Sequence, residues 1–368
     1  MYKHVNIIRS NLLLFLSIVC CLLACGLLFV YSASSVYALS RFGSAHYYAQ
    51  QHCMGIILGL CALCIGRLMP KQYLERYAGV FFIASLLLTA CTLLPFFSVS
   101  VHGSHRWIRL CAITFQPSEV LKVFFILFVA RFLAKKELHL QSNIQSYIPL
   151  LCIIATTSSI LLMQPDFGLT ITLAITAFIL AYIAGLPLKR MWYTFFALLP
   201  IVVGLVWMKP YRFRRIMTFI NPWADPMGSG FQIIQSLIAI GSGNIWGAGI
   251  SLSKQKFFYL PMQHTDFIFS IIAEETGFIG ALFLVALYVL FLYFGLQCAS
   301  STQISSFARY SIIGFVSLIS LQTIINISVT TGLVPTKGIG LPLISYGNTA
   351  LVCTLFMVGL IINLSRER

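Results

Sequence analysis

Of 368 residues, 59% are hydrophobic and 9% charged, with 24 Lys plus Arg against nine Asp plus Glu and a formal net charge of +15. Soluble globular domains carry about 25% charged residues, so the chain falls outside that class and no region reads as a separate soluble domain. The positive charge does not indicate nucleic acid, because the basic residues lie mainly in short segments between apolar runs.

Those runs fall at 11–33, 52–68, 77–96, 117–134, 146–163, 167–186, 191–208, 267–297, 310–330 and 346–363. Each approaches the ~20 residues a helix needs to cross hydrocarbon. The prediction is an all-α polytopic integral membrane protein, a single membrane domain over 1–368 with ten transmembrane helices. Lys3 and Arg9 precede the first run, whose apolar core is longer than the ~7–15 residues of a signal peptide, so it is expected to stay as a helix. Placing both termini in the cytoplasm puts thirteen basic residues inside and leaves the short outer loops only Arg41, Arg106, Arg109 and Lys337. The positive-inside rule selects that orientation.

The exception is a large extracytoplasmic loop, 209–265, between helices 7 and 8. It carries Lys209, Arg212, Arg214, Arg215, Lys254 and Lys256, a cationic surface suited to phosphate-bearing lipids. Within it, Phe231–Ile240 is apolar but too short to span and is expected to lie at the interface or re-enter. The Gly-rich run 241–249 after it should be irregular backbone, tolerated near lipid only where protein or water satisfies it. The cysteines sit mostly in apolar runs and read as small buried hydrophobes. Cys61 and Cys64 have CxxC spacing inside a span, which argues against redox work. Cys53 and Cys111 lie nearer the outer surface, where a bridge is conceivable.

Polar chemistry concentrates near residue 266, where three of the nine acids fall within 259–277. Ionisable groups at membrane depth are expensive and mark functional sites. Thr265 or Asp266 would cap a helix starting near Phe267; alternatively Asp266, partly desolvated at the outer face, is a general base. The local sequence leaves both open. On a continuous helix, Glu274 falls within roughly 80° of the Asp266 face and Glu275 opposite.

A second group is Arg106 with Gln116, Glu119 and Lys122. Pro117 and Glu119 suit a helix start, but Lys122 lies one turn on, inside the span, where it can pair with Glu119. Gln164-Pro165-Asp166-Phe167-Gly168 reads as a turn between spans. Residues 334–347, with two prolines and three glycines, form a shaped outer loop in which Lys337 and Ser345 are polar handles.

Taken in order, Arg106-Trp-Ile, Gln116-Pro-Ser-Glu119 with Lys122, Gln164-Pro-Asp-Phe-Gly168, Phe231-Gln-x-x-Gln235-Ser-Leu, Gln255-Lys256, Tyr259-Leu-Pro261, His264-Thr-Asp-Phe-Ile-Phe269, Ala273-Glu-Glu275 and Leu341-Pro-Leu-Ile-Ser-Tyr-Gly347 resemble the SEDS (shape, elongation, division, sporulation) family of cell-wall polymerases. Pro335-Thr-Lys-Gly338 before Leu341-Pro is similar to its division-type rather than its elongation-type members. The chain departs from the usual pattern at Phe258, Met262, Gln263 and Asn348-Thr-Ala350, losing a carboxylate beside Asp266.

The resemblance implies a peptidoglycan glycosyltransferase that polymerises lipid II at the outer face of the cytoplasmic membrane. The donor is the glycan on polyprenyl pyrophosphate, and the acceptor is the 4-hydroxyl of lipid II. Asp266 would be the base. Arg106, Lys122, Glu119, Gln116, Arg212, Arg214, Arg215, Lys254, Lys256, His264, Lys337 and Ser345 would hold substrate and pyrophosphate, with Asp166, Gln235, Glu274 and Glu275 in support. A divalent cation, Mg or Mn, is conceivable but little supported by a single carboxylate. Implied partners are a class B penicillin-binding protein and other division proteins. The rival readings are a lipid II flippase, a non-catalytic division scaffold and an elongation-type polymerase.

Overall fold

The computed structural model describes residues 2–94, 98–101, 104–110, 113–140, 147–207, 210–300 and 304–366. Cys111, Lys209 and Arg368 lie outside the described residues. The described chain forms twelve α-helices and one small sheet: α1 (Tyr2–Phe42), α2 (Tyr47–Leu68), α3 (Lys71–Cys91), β1 (Ser98–Val101), β2 (Ser104–Leu110), β3 (Ile113–Phe115), α4 (Pro117–Leu140), α5 (Ile148–Met163), α6 (Phe167–Ile183), α7 (Leu188–Trp207), α8 (Pro210–Ile220), α9 (Phe231–Ser242), α10 (Ile268–Gln297), α11 (Ser306–Thr330) and α12 (Asn348–Leu364).

Helix boundaries follow local chemistry rather than the limits of hydrophobicity. No Pro or Gly stops α1 between Leu27 and Phe42, so it runs beyond its apolar core at both ends. Pro70, in extended conformation, starts α3 at Lys71, six residues before the apolar run. Asp166 caps α6 by accepting from the Leu169 N–H at 3.1 Å, and Ser305 caps α11 through the Ala308 N–H at 3.2 Å; short oxygen-bearing side chains satisfy first-turn donors in this way. The described chain is predominantly helical, as expected, with two additions: β1, β2 and β3 pair as a small antiparallel meander, and loop 209–265 contains a second helix, α8, besides α9.

Among the described residues, five helices are long and apolar enough to cross a membrane: Ser10–Phe42 within α1, α2, α3, α10 and α11. Shorter apolar helices are α5, α6, α9 and α12. The bundle core is built by α4, α6, α10, α11 and α12, with Phe125, Phe291 and Phe315 fully enclosed. Alpha-helices α2 and α12 pack most extensively, backbone almost on backbone: a Cβ at Gly359 would lie 2.2 Å from the Leu63 carbonyl oxygen. Small residues permit that approach between helices in lipid. Outward faces remain apolar, as at Leu58, Ile65, Val80 and Leu87. The cysteines follow that pattern in part only. Cys20, Cys21, Cys53, Cys61, Cys64 and Cys152 are free and on exposed faces rather than buried, while Cys298 and Cys353 are buried.

Helix α10 is broken. Gly277 has φ 68° and ψ −166°, which frees backbone groups on both sides, and the Gly-rich run fills the gap. Ala248 and Gly249 donate to the Glu274 and Glu275 carbonyls at 2.9 and 3.0 Å, while Phe278 and Ile279 donate to Asn244 and Ile245 at 2.8 and 3.3 Å. Irregular backbone is thus satisfied by protein, as membrane depth requires.

Candidate active site

The site gathers where the sheet, the α5–α6 turn, the start of α10 and the α11–α12 loop meet. Arg106 lies in β2 opposite a register shift between Val99 and Ser100; such bulges re-aim neighbouring side chains. Its Nε and Nη2 donate to the Gln164 and Pro165 carbonyls at 3.0 and 2.6 Å, and Nη1 is 3.5 Å from Asp166 Oδ2. Burial pushes the Asp166 carboxyl above its usual range, and the Arg106 charge partly offsets this.

In α4, Lys122 and Glu119 form the expected pair, Nζ to Oε2 at 2.5 Å, with Lys122 almost fully enclosed. A buried cation left unpaired would be costly, and Glu119 is the partner that compensates it.

Asp266 is not on a helix and does not cap one. Phe267 is the N-cap residue of α10, without a side-chain cap, and the Thr265 hydroxyl donates to the Met262 carbonyl instead. Asp266 and Glu274 therefore do not lie on one continuous helix. Three successive carbonyls fix the turn: His264 accepts from the Tyr346 N–H at 3.0 Å, Thr265 from the Ser345 hydroxyl at 2.6 Å, and Asp266 from Asn326 Nδ2 at 2.8 Å. The half-buried Asp266 carboxylate is pushed up to about 6 by burial, against the lowering effect of Arg106 and Arg215. A carboxylate of that pKa suits proton abstraction near neutrality.

A cavity of about 800 Å³ joins these groups. Among the expected residues it is lined by Arg106, Gln116, Glu119, Lys122, Asp166, Arg215, Asp266, Lys337 and Ser345. A side pocket of about 190 Å³ shares Arg106, Asp166, Arg215 and Lys337 and adds Arg212. Arg212 and Lys337 both lie over the Phe167 ring, 5.5 and 5.4 Å from its centre, and burial lowers the Lys337 ammonium from its ordinary value. Arg215 also donates to the Thr336 carbonyl at 3.1 Å.

Other expected residues stand elsewhere. Arg214 and Lys254 are exposed. Lys256 is buried beside Glu275, 3.7 Å from Oε1, and Glu274 accepts from Ser253 and from the Lys254 N–H. None of these five expected residues lines the cavity. His264 is enclosed by Tyr37, Tyr48 and Tyr346, with ring centres 5.7, 4.5 and 5.8 Å away, and burial lowers it to about 4, so the ring is neutral. Gln235 does not line the cavity, which takes Gln232 from the same helix. The Ser345 hydroxyl accepts from the Leu341 N–H at 2.7 Å while donating to Thr265, making it a clamp of the loop.

Sequence reasoning missed Gln322 and Asn326, both buried in α11. Gln322 lines the cavity, and Asn326 ties the Asp266 carbonyl to that of Ile339, at 2.7 Å. Their i, i+4 spacing in an apolar run was the available signal, since such residues share one helix face. Among the described residues, no group of three or more His, Cys, Asp and Glu is placed to hold a metal ion.

Outward apolar faces around a charge-lined cavity define a polytopic helical membrane protein. The chain belongs to the FtsW/RodA/SpoVE family of cell cycle proteins, whose sequence profile matches residues 12–368. It is 38% identical over 354 residues to the probable peptidoglycan glycosyltransferase FtsW of Coxiella burnetii, covering 94% of each chain. It is 36% identical over 356 residues to stage V sporulation protein E of Bacillus subtilis, covering 96% of each. Among solved structures, it matches a chain of a peptidoglycan synthase complex that coordinates polymerisation and crosslinking, with a TM-score of 0.79 at 29% identity over 95% of this chain and 96% of that one. The rod shape determining protein RodA of Thermus thermophilus shares the fold, with a TM-score of 0.70 at 24% identity over 95% of each chain.

Proposed function

We propose that this protein is a peptidoglycan glycosyltransferase of cell division that polymerises lipid II at the outer face of the cytoplasmic membrane, with Asp266 as general base. The observation that carries the reading is the Asp266 carboxylate, poised near 6 in a cavity whose other walls carry Arg106, Lys122, Arg215 and Lys337. The relatives' names supply the reaction class, and membership of a family of cell cycle proteins supports the division role.

In the reaction, the 4-hydroxyl oxygen of lipid II attacks the anomeric carbon of the glycan donor. Asp266 accepts the hydroxyl proton, and the bond to polyprenyl pyrophosphate breaks with its electron pair on the leaving phosphate. Lys337, Arg215 and Arg212 are the cations that would meet that developing charge, as preorganised donors do in a dehydrated site. Arg106 and Lys122 are already shared with Asp166 and Glu119, so they set the shape and potential of the wall. With two of the cavity's acids so engaged, Asp266 remains, and the donor set suits a divalent cation only as one shared with substrate phosphates. Such an ion would neutralise leaving-group charge.

Ten helices, all but α8 and α9, are taken as the membrane spans of a single domain. Both termini are then cytoplasmic and 209–265 is the outer loop, in the inner membrane at the division site. A class B penicillin-binding protein is the expected partner, because a solved neighbour comes from a complex that joins polymerisation to crosslinking. The test is reconstitution with and without that transpeptidase, comparing wild type with Asp266→Ala for polymerisation and flipping of lipid II. Loss of glycan synthesis in a folded variant is expected. Equal synthesis by Asp266→Ala, or none by wild type with its partner, rejects the reading.

A further inference from the structure

Two carboxylates and one ammonium lie buried at the break in α10, outside the cavity and unused by the chemistry above. Glu275 Oε1 and Oε2 accept from the Ser32 hydroxyl of α1 at 2.6 and 2.7 Å, and Lys256 Nζ stands 3.7 Å from Oε1. Lys256 Nζ also donates to the Ser251 carbonyl. Glu274 accepts from the Lys254 N–H at 2.8 Å and from Ser253. All three charged residues are at most 4% exposed.

The Lys256–Glu275 pair and the two bonds to Glu274 join loop 251–256 to the first turns of α10, while Ser32 ties Glu275 to α1. The loop in turn supports the turn that carries Asp266: Gln263 Nε2 donates to the Lys256 carbonyl at 3.2 Å, and the Leu260 N–H to that of Gln255 at 3.1 Å. The Phe267 N–H closes back on Met262 at 3.3 Å. Tyr346, Ser345 and Asn326 hold residues 264–266 from the opposite side. The turn is therefore clamped between two supports, and one of them hangs on buried charge.

We propose that Lys256 and Glu275 are positioning residues for the polymerase reaction, an internal ion pair that sets the height of Asp266 relative to the substrate cavity. Lys256 is not a ligand of pyrophosphate, although it belongs to a basic loop. The inference rests on Asp266 being the base. Charge balance gives it a sharp consequence. Removing one partner leaves an uncompensated buried charge, whereas neutralising both removes the conflict.

The experiment measures lipid II polymerisation by the full-length protein with its transpeptidase, for Asp266→Asn, Lys256→Met, Lys256→Arg and the double variant Lys256→Met/Glu275→Gln. Displacing a reacting group by about 1 Å costs roughly a hundredfold. Lys256→Met should lower kcat by about that factor with KM for lipid II unchanged. Lys256→Arg should keep most activity, and the double variant should recover most of kcat. A rise in KM with kcat preserved, or a folded double variant as inactive as Asp266→Asn, overturns the proposal and returns Lys256 to substrate binding. If Lys256→Met does not fold, the double variant alone decides, since it must be both folded and active. Full activity of Asp266→Asn would instead sink the catalytic reading itself, so the two failures are told apart.

Discussion

Arg106 and Asp166 face each other at 3.5 Å across the junction of the β-meander and the α5–α6 turn. The guanidinium also holds the Gln164 and Pro165 carbonyls, so one side chain fixes a loop that the sheet alone would leave unanchored. Lysine offers a point charge in place of a planar fork. Arg106→Lys should therefore lose two directed hydrogen bonds while keeping the charge. Charge-assisted bonds are worth about 1.5–3 kcal/mol, so polymerisation should fall roughly 10- to 100-fold. Asp166→Asn, which keeps a cap oxygen for Leu169, should cost less. Steady-state glycan synthesis by purified variants checks the order, and equal activity of Arg106→Lys and wild type would remove Arg106 from the site.

The pH dependence follows from the direction of the Asp266 shift. Burial raises it to about 6, above the ~3.9 of a free aspartate. A base must be deprotonated, so the rate should rise with pH through about 6 and level off above it. Stability runs the other way. Between the unfolded and folded values the native state binds more protons, so stability falls as pH rises through that window. At pH 7.5 Asp266→Asn should be inactive yet more stable than wild type, by on the order of 1–3 kcal/mol. Thermal unfolding in detergent beside a pH–rate profile reads both; an inactive but destabilised variant would mean the carboxylate is structural.

The sequence made the helices and the identity of the acids legible because apolar runs and scarce charges leave plain marks. Lys122 pairs with Glu119 as its i, i+3 spacing allows. The fate of Lys256 was not legible. Its partner Glu275 is nineteen positions on, and only the fold of the loop onto the α10 break brings them together. The break itself rests on Gly277 adopting positive φ, which apolar periodicity does not report. The enclosure of His264 is not legible for a similar reason: Tyr37, Tyr48 and Tyr346 come from three distant segments and close over it only in three dimensions.

Asn326 supplies a third prediction. Its Nδ2 bridges the Asp266 and Ile339 carbonyls at 2.8 and 2.7 Å, so it touches backbone and not the reacting groups. Asn326→Ala orphans two acceptors, a cost of about 1–3 kcal/mol for each one left buried. The freed Asp266 turn should lower kcat while KM for lipid II stays within about twofold, since a lost positioning contact acts on the transition state. Asn326→Asp, which cannot donate, should behave like alanine. A raised KM alone would place Asn326 in substrate binding.

The loop that fills the α10 break allows a test within three residues of sequence. A Cβ at Gly243 would lie 2.1 Å from the Ala273 carbonyl oxygen, whereas one at Gly241 meets nothing within 4 Å. Gly247 and Gly277 are tighter in another sense: both have positive φ, and their added Cβ atoms would approach the Glu275 oxygen at 2.2 Å and the Gly247 nitrogen at 2.3 Å. Replacing an unhindered helical glycine by alanine stabilises by about 0.4–1 kcal/mol. Gly241→Ala should therefore raise the unfolding temperature slightly. Gly243→Ala, Gly247→Ala and Gly277→Ala force backbone apart where neither side can give, and at the last two the left-handed conformation adds about 1–2 kcal/mol. These three should unfold at lower temperature, with Gly277→Ala also losing polymerase activity, because the displaced loop bears on the Lys256–Glu275 support of Asp266. If Gly241→Ala and Gly243→Ala shift the melting temperature alike, the close approach of loop and broken helix is wrong.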